Sequence, residues 1–233
     1  MFNKEVYQRR RDALRSKFKS GLILFPGNTE VPMNYRANTY RFRPDSSFLY
    51  FFGLDQPDLF GIIDIDNNTD YLFGNDIDME DIIWMGNMPT ISERAASVAI
   101  SKSFPLNKIS EHIQKAIQQK KEIHFLFPYR GEIQIQMMQL LGMDFDALKK
   151  SSSEALAVAI TDLRSIKSQE EIVEIEIGLG EIISTRRKCV VYDGSFSLVH
   201  IRGHPAEHIG QYVFVSHTIK HQAFTSLVIF ISP

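Results

Sequence analysis

Residues 35–58 read YRANTYRFRPDSSFLYFFGLDQPD, and this stretch is the least random part of the 233-residue chain. The uninterrupted apolar run at 48–52 predicts a buried strand. Gly53 ends this run, and the Asp-Gln-Pro-Asp that follows Leu54 is typical of a turn. We therefore expect most of these aromatic side chains in the core, with Arg41 and Arg43 at a solvated edge.

The residue pattern of this stretch resembles the signature of the N-terminal domain of Xaa-Pro aminopeptidases (aminopeptidase P), N-x-Y-x-F-R-Q-D-S-x-F-x-Y-x-x-G-x-x-x-P. Pro44 stands where the family has Gln, and because proline has no amide proton we expect an edge or a turn there. Other segments resemble the family in the same order, from YQRRRDAL at 7–14 through IWMG at 83–86 to LRSIKS at 163–168. The signature positions that match are Asn38, Tyr40, Phe42, Arg43, Asp45, Ser46, Phe48, Tyr50, Gly53 and Pro57.

The predicted fold class is α/β, a mixed β-sheet flanked by helices, which the resemblance also implies. Apolar residues at helical spacing predict a first helix over 4–18, with Arg9, Arg10, Arg11 and Lys17 in water. Strands that alternate with helices of ten or more residues are typical of this class.

Helix starts are marked by side chains that can cap the free amide groups of a first turn. Thr90 with Glu93, and Ser168 with Glu171, form capping boxes. Asn107 is expected to cap the helix that follows it. The other expected elements are strands at 21–25 and 123–127, a hairpin of 59–65 with 71–73, and helices at 108–120 and 132–141.

The expected domain organisation has three parts. The polar cluster SSSE at 151–154 predicts that the N-terminal domain covers 1–150. The resemblance implies that 151–184 hold a linker and the first helix of the pita-bread catalytic domain. Beyond residue 184 the resemblance stops, and five of the seven histidines lie at or after residue 200. We expect 185–233 to be an atypical tail that truncates the second domain, and a shifted reading frame would explain it.

The resemblance also implies candidate site residues in the N-terminal domain. The tryptophan of the family's W-x-G segment reaches towards the substrate cleft of a neighbouring subunit, which makes Trp84 a candidate. The alternative is that Trp84 packs in the core, since Trp supplies a large buried area. Arg43, Asp45 and Tyr50 of the signature are the other candidates for the substrate cleft or an oligomer interface.

Family members hold two divalent metal ions, typically manganese, with two aspartates, one histidine and two glutamates. Only Asp193 and Glu207 are acidic after residue 184, so we expect no catalytic residue and no cofactor in this chain. The spacing of the tail histidines suggests a different metal site, although adventitious or no binding is the simpler expectation. The weak candidates are His204, His208, His217 and His221.

Composition excludes several classes of partner. A formal net charge of −2 gives no footprint for nucleic acid. No stretch is long and apolar enough to cross a membrane. The N-terminus lacks the apolar core of a signal peptide, and a single cysteine cannot form an internal disulfide, so we expect a cytoplasmic location.

The function expected from the resemblance is that of the N-terminal, non-catalytic portion of an Xaa-Pro aminopeptidase. The parent enzymes act on proline-containing peptides and release the residue that precedes proline. The resemblance implies a homo-oligomer, and leaves open whether this chain is an enzyme. The alternative is a catalytically dead, peptidase-like module that binds peptides or proteins.

Overall fold

A computed structural model describes residues 2–35, 38–76, 86 and 88–179, and the backbone of 180–184, 217–219 and 222–224. The helices are α1 (Lys4–Arg15), α2 (Ser46–Phe52), α3 (Ile91–Ser97), α4 (Ile109–Gln118), α5 (Gly131–Leu141), α6 (Phe145–Lys150), α7 (Glu154–Ser165) and α8 (Gln169–Ser184). The strands are β1 (Leu22–Pro26), β2 (Phe60–Asp64), β3 (Thr69–Phe73), β4 (Lys102–Phe104), β5 (Ile123–His124), β6 (His217–Ile219) and β7 (Gln222–Phe224), and a 3₁₀ turn spans Leu106–Lys108.

The described part of the chain forms one mixed sheet of five strands, in the order β4-β3-β2-β1-β5. The three central strands form an antiparallel meander, in which Ile23 lies opposite Ile63 and Ile63 lies opposite Asp70. The two edge strands, β4 and β5, run parallel to their neighbours. The expected α/β class with a mixed sheet is therefore confirmed. A separate antiparallel hairpin joins β6 to β7.

Both faces of the sheet are covered, which explains why β1 is apolar along its whole length. Ile23 and Phe25 point to the face where α1, α2 and α7 pack. Leu22 and Leu24 point to the opposite face, where α4, α5 and α6 pack. Successive side chains of a strand alternate between the faces, so each residue of β1 contributes to one of the two cores.

Contacts divide the chain into two compact units, Met1–Ile166 and Lys167–Pro233. Helix α7 belongs to the first unit, because its Leu156, Ala159 and Ile160 are buried in the same core as α1 and α2. In the second unit, Ser168 and Glu171 form the expected reciprocal cap at the start of α8. In the part of the chain that the structure describes, no helix combines the length and apolar character that a bilayer crossing needs.

The run at 48–52 is helix α2, so the expectation of a strand is wrong. Asp45 accepts hydrogen bonds from the amides of Ser47 (2.9 Å) and Phe48 (2.8 Å), which fixes the start of the helix. Gly53 adopts φ +68° and ends the helix in a left-handed cap. Phe48 and Phe51 are fully buried while Leu49 is 40% exposed, so the run has a helical face that its uniform apolarity concealed.

Arg10 and Arg11 are buried, so the expectation that they lie in water is wrong. Arg11 donates to the carbonyl of Phe51 (2.9 Å), and Arg10 donates to the carbonyl of Tyr50 (2.9 Å). The last carbonyls of a helix have no partner within it, and these two guanidinium groups satisfy them in α2. Both arginines are therefore buried because residues 48–52 belong to helix α2, which was not expected from the sequence.

Three smaller expectations also differ from the structure. Asn107 does not cap α4, because it lies within a 3₁₀ turn and Lys108 occupies the cap position. The strand expected at 123–127 pairs only over Ile123–His124, because the chain beyond it separates from β1. Strand β4 was not expected. The hairpin of β2 with β3 and the capping box at Thr90 are confirmed.

Asp66 lies in the turn of this hairpin, and its contacts should make the stability of the fold depend on pH. The Gly21 amide donates to Asp66 Oδ1 (3.0 Å), and Lys121 Nζ lies 3.0 Å from Oδ2. These contacts lower the pKa of Asp66 below its ordinary value, with the Gly21 bond as the larger cause. A carboxyl whose pKa is lowered by folding stabilises the fold above its unfolded pKa, and this stabilisation is lost as pH falls through the folded pKa.

We therefore expect Asp66→Asn to lower the free energy of unfolding by up to about 1 kcal/mol at pH 7. The difference from the unmodified chain should shrink at acidic pH, once the pH has fallen through the lowered pKa of Asp66 and the carboxyl is protonated in both states. Urea denaturation at neutral and at acidic pH measures this, with Asp55→Asn at an exposed site as the control. An equal loss at both pH values would contradict the prediction.

Candidate functional site

Of the predicted site residues, Asp45 and Tyr50 make contacts inside the fold. The Asp45 carboxylate caps α2 through Oδ1. The Tyr50 hydroxyl donates to the carbonyl of Leu163 in α7 (3.2 Å), which ties α2 to α7. Its ring lies 3.9 Å from the Arg10 guanidinium carbon, a cation–π distance. These contacts give both side chains a role in holding the fold together.

Arg43 is exposed, and it precedes α2 in a segment without regular secondary structure. Its backbone carbonyl accepts a hydrogen bond from Asn28 Nδ2 (3.0 Å), and the Asp45 amide donates to Gly27 (3.3 Å). These bonds hold together the two ends of the long connection from β1 to α2. Pro44 lies in the same irregular segment, so the expectation that it avoids the centre of the sheet is confirmed.

Several predicted site residues lie outside the described residues. Trp84 is one, and so are His204, His208 and His221. Only the backbone of His217 is described, in β6. Among the described residues, no three His, Cys, Asp or Glu side chains converge as ligands of a metal ion. Those residues therefore do not fit a manganese pair, and we derive no metal-dependent step from them.

The first unit has an open cleft of about 670 Å³ at the carboxyl ends of β1 and β5. Residues 24–26 and 126–130 line it, together with Asn28, Asp45 and the first turns of α5 and α7. We call it the strand-end cleft. The two strands stop pairing after Ile23 and His124, so the chains that continue from them diverge and leave this opening.

The strand-end cleft lies where the chain changes sides of the sheet. After β1 the chain leads to α2 on the face of Phe25, and after β5 it leads to α5 on the face of Leu24. In open α/β sheets, ligands bind in the crevice at such a point, outside the carboxyl ends of neighbouring parallel strands. This position makes the cleft the candidate functional site of the described unit.

The walls of the cleft combine apolar and charged groups. Phe127 stacks edge-on with Tyr129 (6.1 Å) and with Phe145 (5.7 Å), and Tyr129 is 93% exposed at the rim. Arg130, Asp45 and Glu154 supply charges of both signs. Such a surface can hold a small molecule that has an apolar body and charged ends.

This cleft was not predicted from the sequence. The available signals were two predicted strands, 21–25 and 123–127, that are each followed by a proline, Pro26 and Pro128, before a polar connection. A proline shortly after a strand indicates only that pairing ends. That the two ends are neighbours depends on the sheet order, which the sequence did not reveal.

Comparisons with known proteins agree with this architecture. The family model "Aminopeptidase P, N-terminal domain" matches residues 7–124. A search of curated proteins gives no match.

Similar solved structures include proline aminopeptidase P II of Yersinia pestis, at 22% identity and a TM-score of 0.64. Aminopeptidase P of Escherichia coli, in a low-pH form, has 20% identity and a TM-score of 0.62. Each comparison covers 79% of this chain and 44% of the other. For aminopeptidase PepP of Pseudomonas aeruginosa the identity is 19% and the TM-score 0.61, with 74% and 40% covered.

The chain thus spans less than half the length of these structures, and at such identities the likeness shows the fold alone. The family model extends from within α1 to β5, so it includes every strand of the five-stranded sheet. It also includes the signature from Asn38 to Pro57. This chain belongs to the family defined by the aminopeptidase P N-terminal domain.

Proposed function

We propose that this chain is the N-terminal, non-catalytic portion of an Xaa-Pro aminopeptidase-type metallopeptidase. The observation that carries the proposal is the family match over residues 7–124, a region that folds as one packed unit. In the parent activity, a catalytic domain with two manganese ions releases an N-terminal residue that precedes proline. This chain supplies the domain beside that catalytic domain and does not itself carry out the hydrolysis.

Within the same proposal, the domain walls a substrate cleft for proline-containing peptides and takes part in a homo-oligomer. Trp84 and Arg43 are the residues proposed to face the neighbouring subunit. The exposure of Arg43 supports this, since its side chain can reach a partner while its carbonyl holds the connection to β1 in place. We also propose a cytoplasmic location, which the single cysteine supports.

A peptidase assay tests the central claim. The full 233-residue chain is incubated with manganese chloride and a tripeptide whose second residue is proline, and the released amino acid is measured by mass spectrometry. We expect no release above a protein-free control, while Escherichia coli aminopeptidase P serves as the positive control. Manganese-dependent release that is lost in His208→Ala would overturn the proposal and place a metal site in the tail.

The second candidate function is a peptidase-like module that binds peptides without hydrolysing them. The strand-end cleft favours it, because the described unit has a site of ligand size of its own. Supplying a separate catalytic domain distinguishes the two candidates. Peptidase activity that neither part has alone and that appears in the mixture supports the non-catalytic portion of a peptidase. Peptide binding that the added domain does not change supports the binding module.

A further inference from the structure

We propose that the strand-end cleft binds a small zwitterion with an apolar body, namely an apolar amino acid or a short peptide with free ends. The proposal concerns the described unit alone. It does not depend on whether a catalytic domain accompanies the chain.

The position and size of the cleft are the first argument. The cleft opens where the helices that follow two parallel neighbours, β1 and β5, pack on opposite faces of the sheet. Crevices at such points are the usual ligand sites of open α/β sheets. Its volume of about 670 Å³ lies within the ~300–1,000 Å³ typical of small-molecule sites.

The apolar part of the lining is the second argument. Leu126 and Phe127 continue from β5, and Pro26 ends β1, so a ligand that enters the cleft meets apolar side chains from both strands. Tyr129 at the rim is almost fully exposed although its ring contacts Phe127. An apolar side chain bound over these groups would remove them from water, which favours binding.

Arg130, which lines the cleft, can hold a carboxylate. Arg130 occupies the N-cap position of α5, and its side chain does not cap the helix. Its ion pair with Glu132 is long, at 3.8 Å, so the guanidinium can still form a bidentate contact. Apart from its chain neighbours and the backbone of its own helix, no atom of the described residues lies within 4 Å of the place where a Cβ on Gly131 would be, so a ligand group can approach the first turn of α5.

The carboxylates among the lining residues can hold an ammonium group. Asp45 uses only Oδ1 to cap α2, and among the described residues no hydrogen bond engages Oδ2. Glu154, in the first turn of α7, is exposed and lines the same cleft. A cleft lined by two carboxylates and one arginine disfavours a phosphate or another dianion. The charges therefore favour a ligand that carries one positive and one negative group.

Isothermal titration of the full chain with leucine and with the dipeptide Leu-Leu tests the proposal. We expect dissociation constants of about 1 mM or below for at least one of them. Tighter binding of leucine would identify an amino-acid site, and tighter binding of Leu-Leu a peptide site. N-acetylation or C-amidation of the better ligand should each weaken binding at least about tenfold, as expected when a desolvated charge pair is lost.

Two matched pairs of variants locate the binding. Ala157 is exposed on α7 and lines the cleft, so Ala157→Phe should abolish binding, whereas Ala155→Phe on the same helix outside the cleft should leave it unchanged. Arg130→Gln should weaken binding about tenfold, and Arg41→Gln, at an exposed position outside the cleft, should not. Circular dichroism verifies that each variant is folded.

Absence of binding by both ligands, or equal binding by Ala157→Phe and the unmodified chain, would overturn the proposal. Equal binding of the blocked and unblocked ligands would overturn it as well. These outcomes leave the proposed function intact, because no step involves hydrolysis. Conversely, peptide hydrolysis by the chain would overturn the proposed function without affecting the location of this site.

Discussion

Replacing Arg11 with alanine should lower the free energy of unfolding by about 3–5 kcal/mol, the cost of breaking a buried ion pair from one side. Arg11 is fully buried, and its Nε lies 2.6 Å from Asp70 Oδ2. Its other nitrogens donate to the carbonyls of Phe51 (2.9 Å), Val98 (2.8 Å) and Ala99 (3.2 Å). Truncation leaves these acceptors without their donor in a buried site.

The Asp70 carboxylate offsets the cost of burying the Arg11 guanidinium. Desolvation lowers the pKa of Arg11, and the neighbouring Asp70 carboxylate opposes that effect. Asp70 also pairs with Arg15, so one carboxylate links two arginines of α1 to strand β3. Arg11→Lys should rescue little of the loss, because an ammonium group cannot reach acceptors that are arranged around a planar guanidinium.

Arg9→Ala is the matched control, since Arg9 is exposed on the same helix and its loss should change the free energy of unfolding by less than about 1 kcal/mol. Urea denaturation followed by far-ultraviolet circular dichroism measures both variants. If Arg11→Ala were no more destabilising than Arg9→Ala, Arg11 would not be the link between α1, α2 and α3 that the structure describes.

Gly53→Ala should lower the free energy of unfolding by about 3 kcal/mol or more, for two separate reasons. Gly53 adopts φ +68°, where an L-residue costs about 1–2 kcal/mol. A Cβ there would also lie 2.2 Å from the ring of Tyr7, which is buried between α1 and α2. Forcing that ring aside adds an overpacking cost of about 1–3 kcal/mol.

Gly142→Ala separates these two costs. Gly142 ends α5 with φ +67°, and beyond its chain neighbours no atom in the described part of the chain lies within 4 Å of the place where its Cβ would be. Its replacement should therefore cost only the conformational part, about 1–2 kcal/mol. Equal destabilisation by the two variants would mean that the contact between Gly53 and Tyr7 contributes nothing. Gly53→Ala combined with Tyr7→Leu should recover part of the loss if the contact is responsible.

The sequence predicted those elements whose signals are local. The strand at β1 and the β2–β3 hairpin follow from short apolar runs bounded by turn residues. The caps at Thr90 and Ser168 follow from side chains placed three residues before a glutamate. Each of these depends on neighbours within a few residues, so the chain outside them did not need to be known.

The prediction of a strand at 48–52 was wrong because two local signals conflicted. Its uniformly apolar run favoured a strand, while Asp45 and Gly53 at its ends favoured a helix. Burial of Phe48 and Phe51 on one side and exposure of Leu49 on the other are properties of the packed fold. The caps were the better evidence, since they satisfy backbone groups that a short helix leaves open at both ends.

The sequence by itself determined the fold class, the family resemblance and most of the strands, because hydrophobic patterns and caps act over short distances along the chain. The tertiary structure alone decided that Arg10 and Arg11 are buried and that the strand-end cleft exists. Arg11 meets Asp70 and Val98 from distant parts of the sequence, and the cleft needs β1 and β5 to be neighbours. Such contacts arise only when the whole sheet is assembled, since a guanidinium is buried only where enough acceptors converge on it.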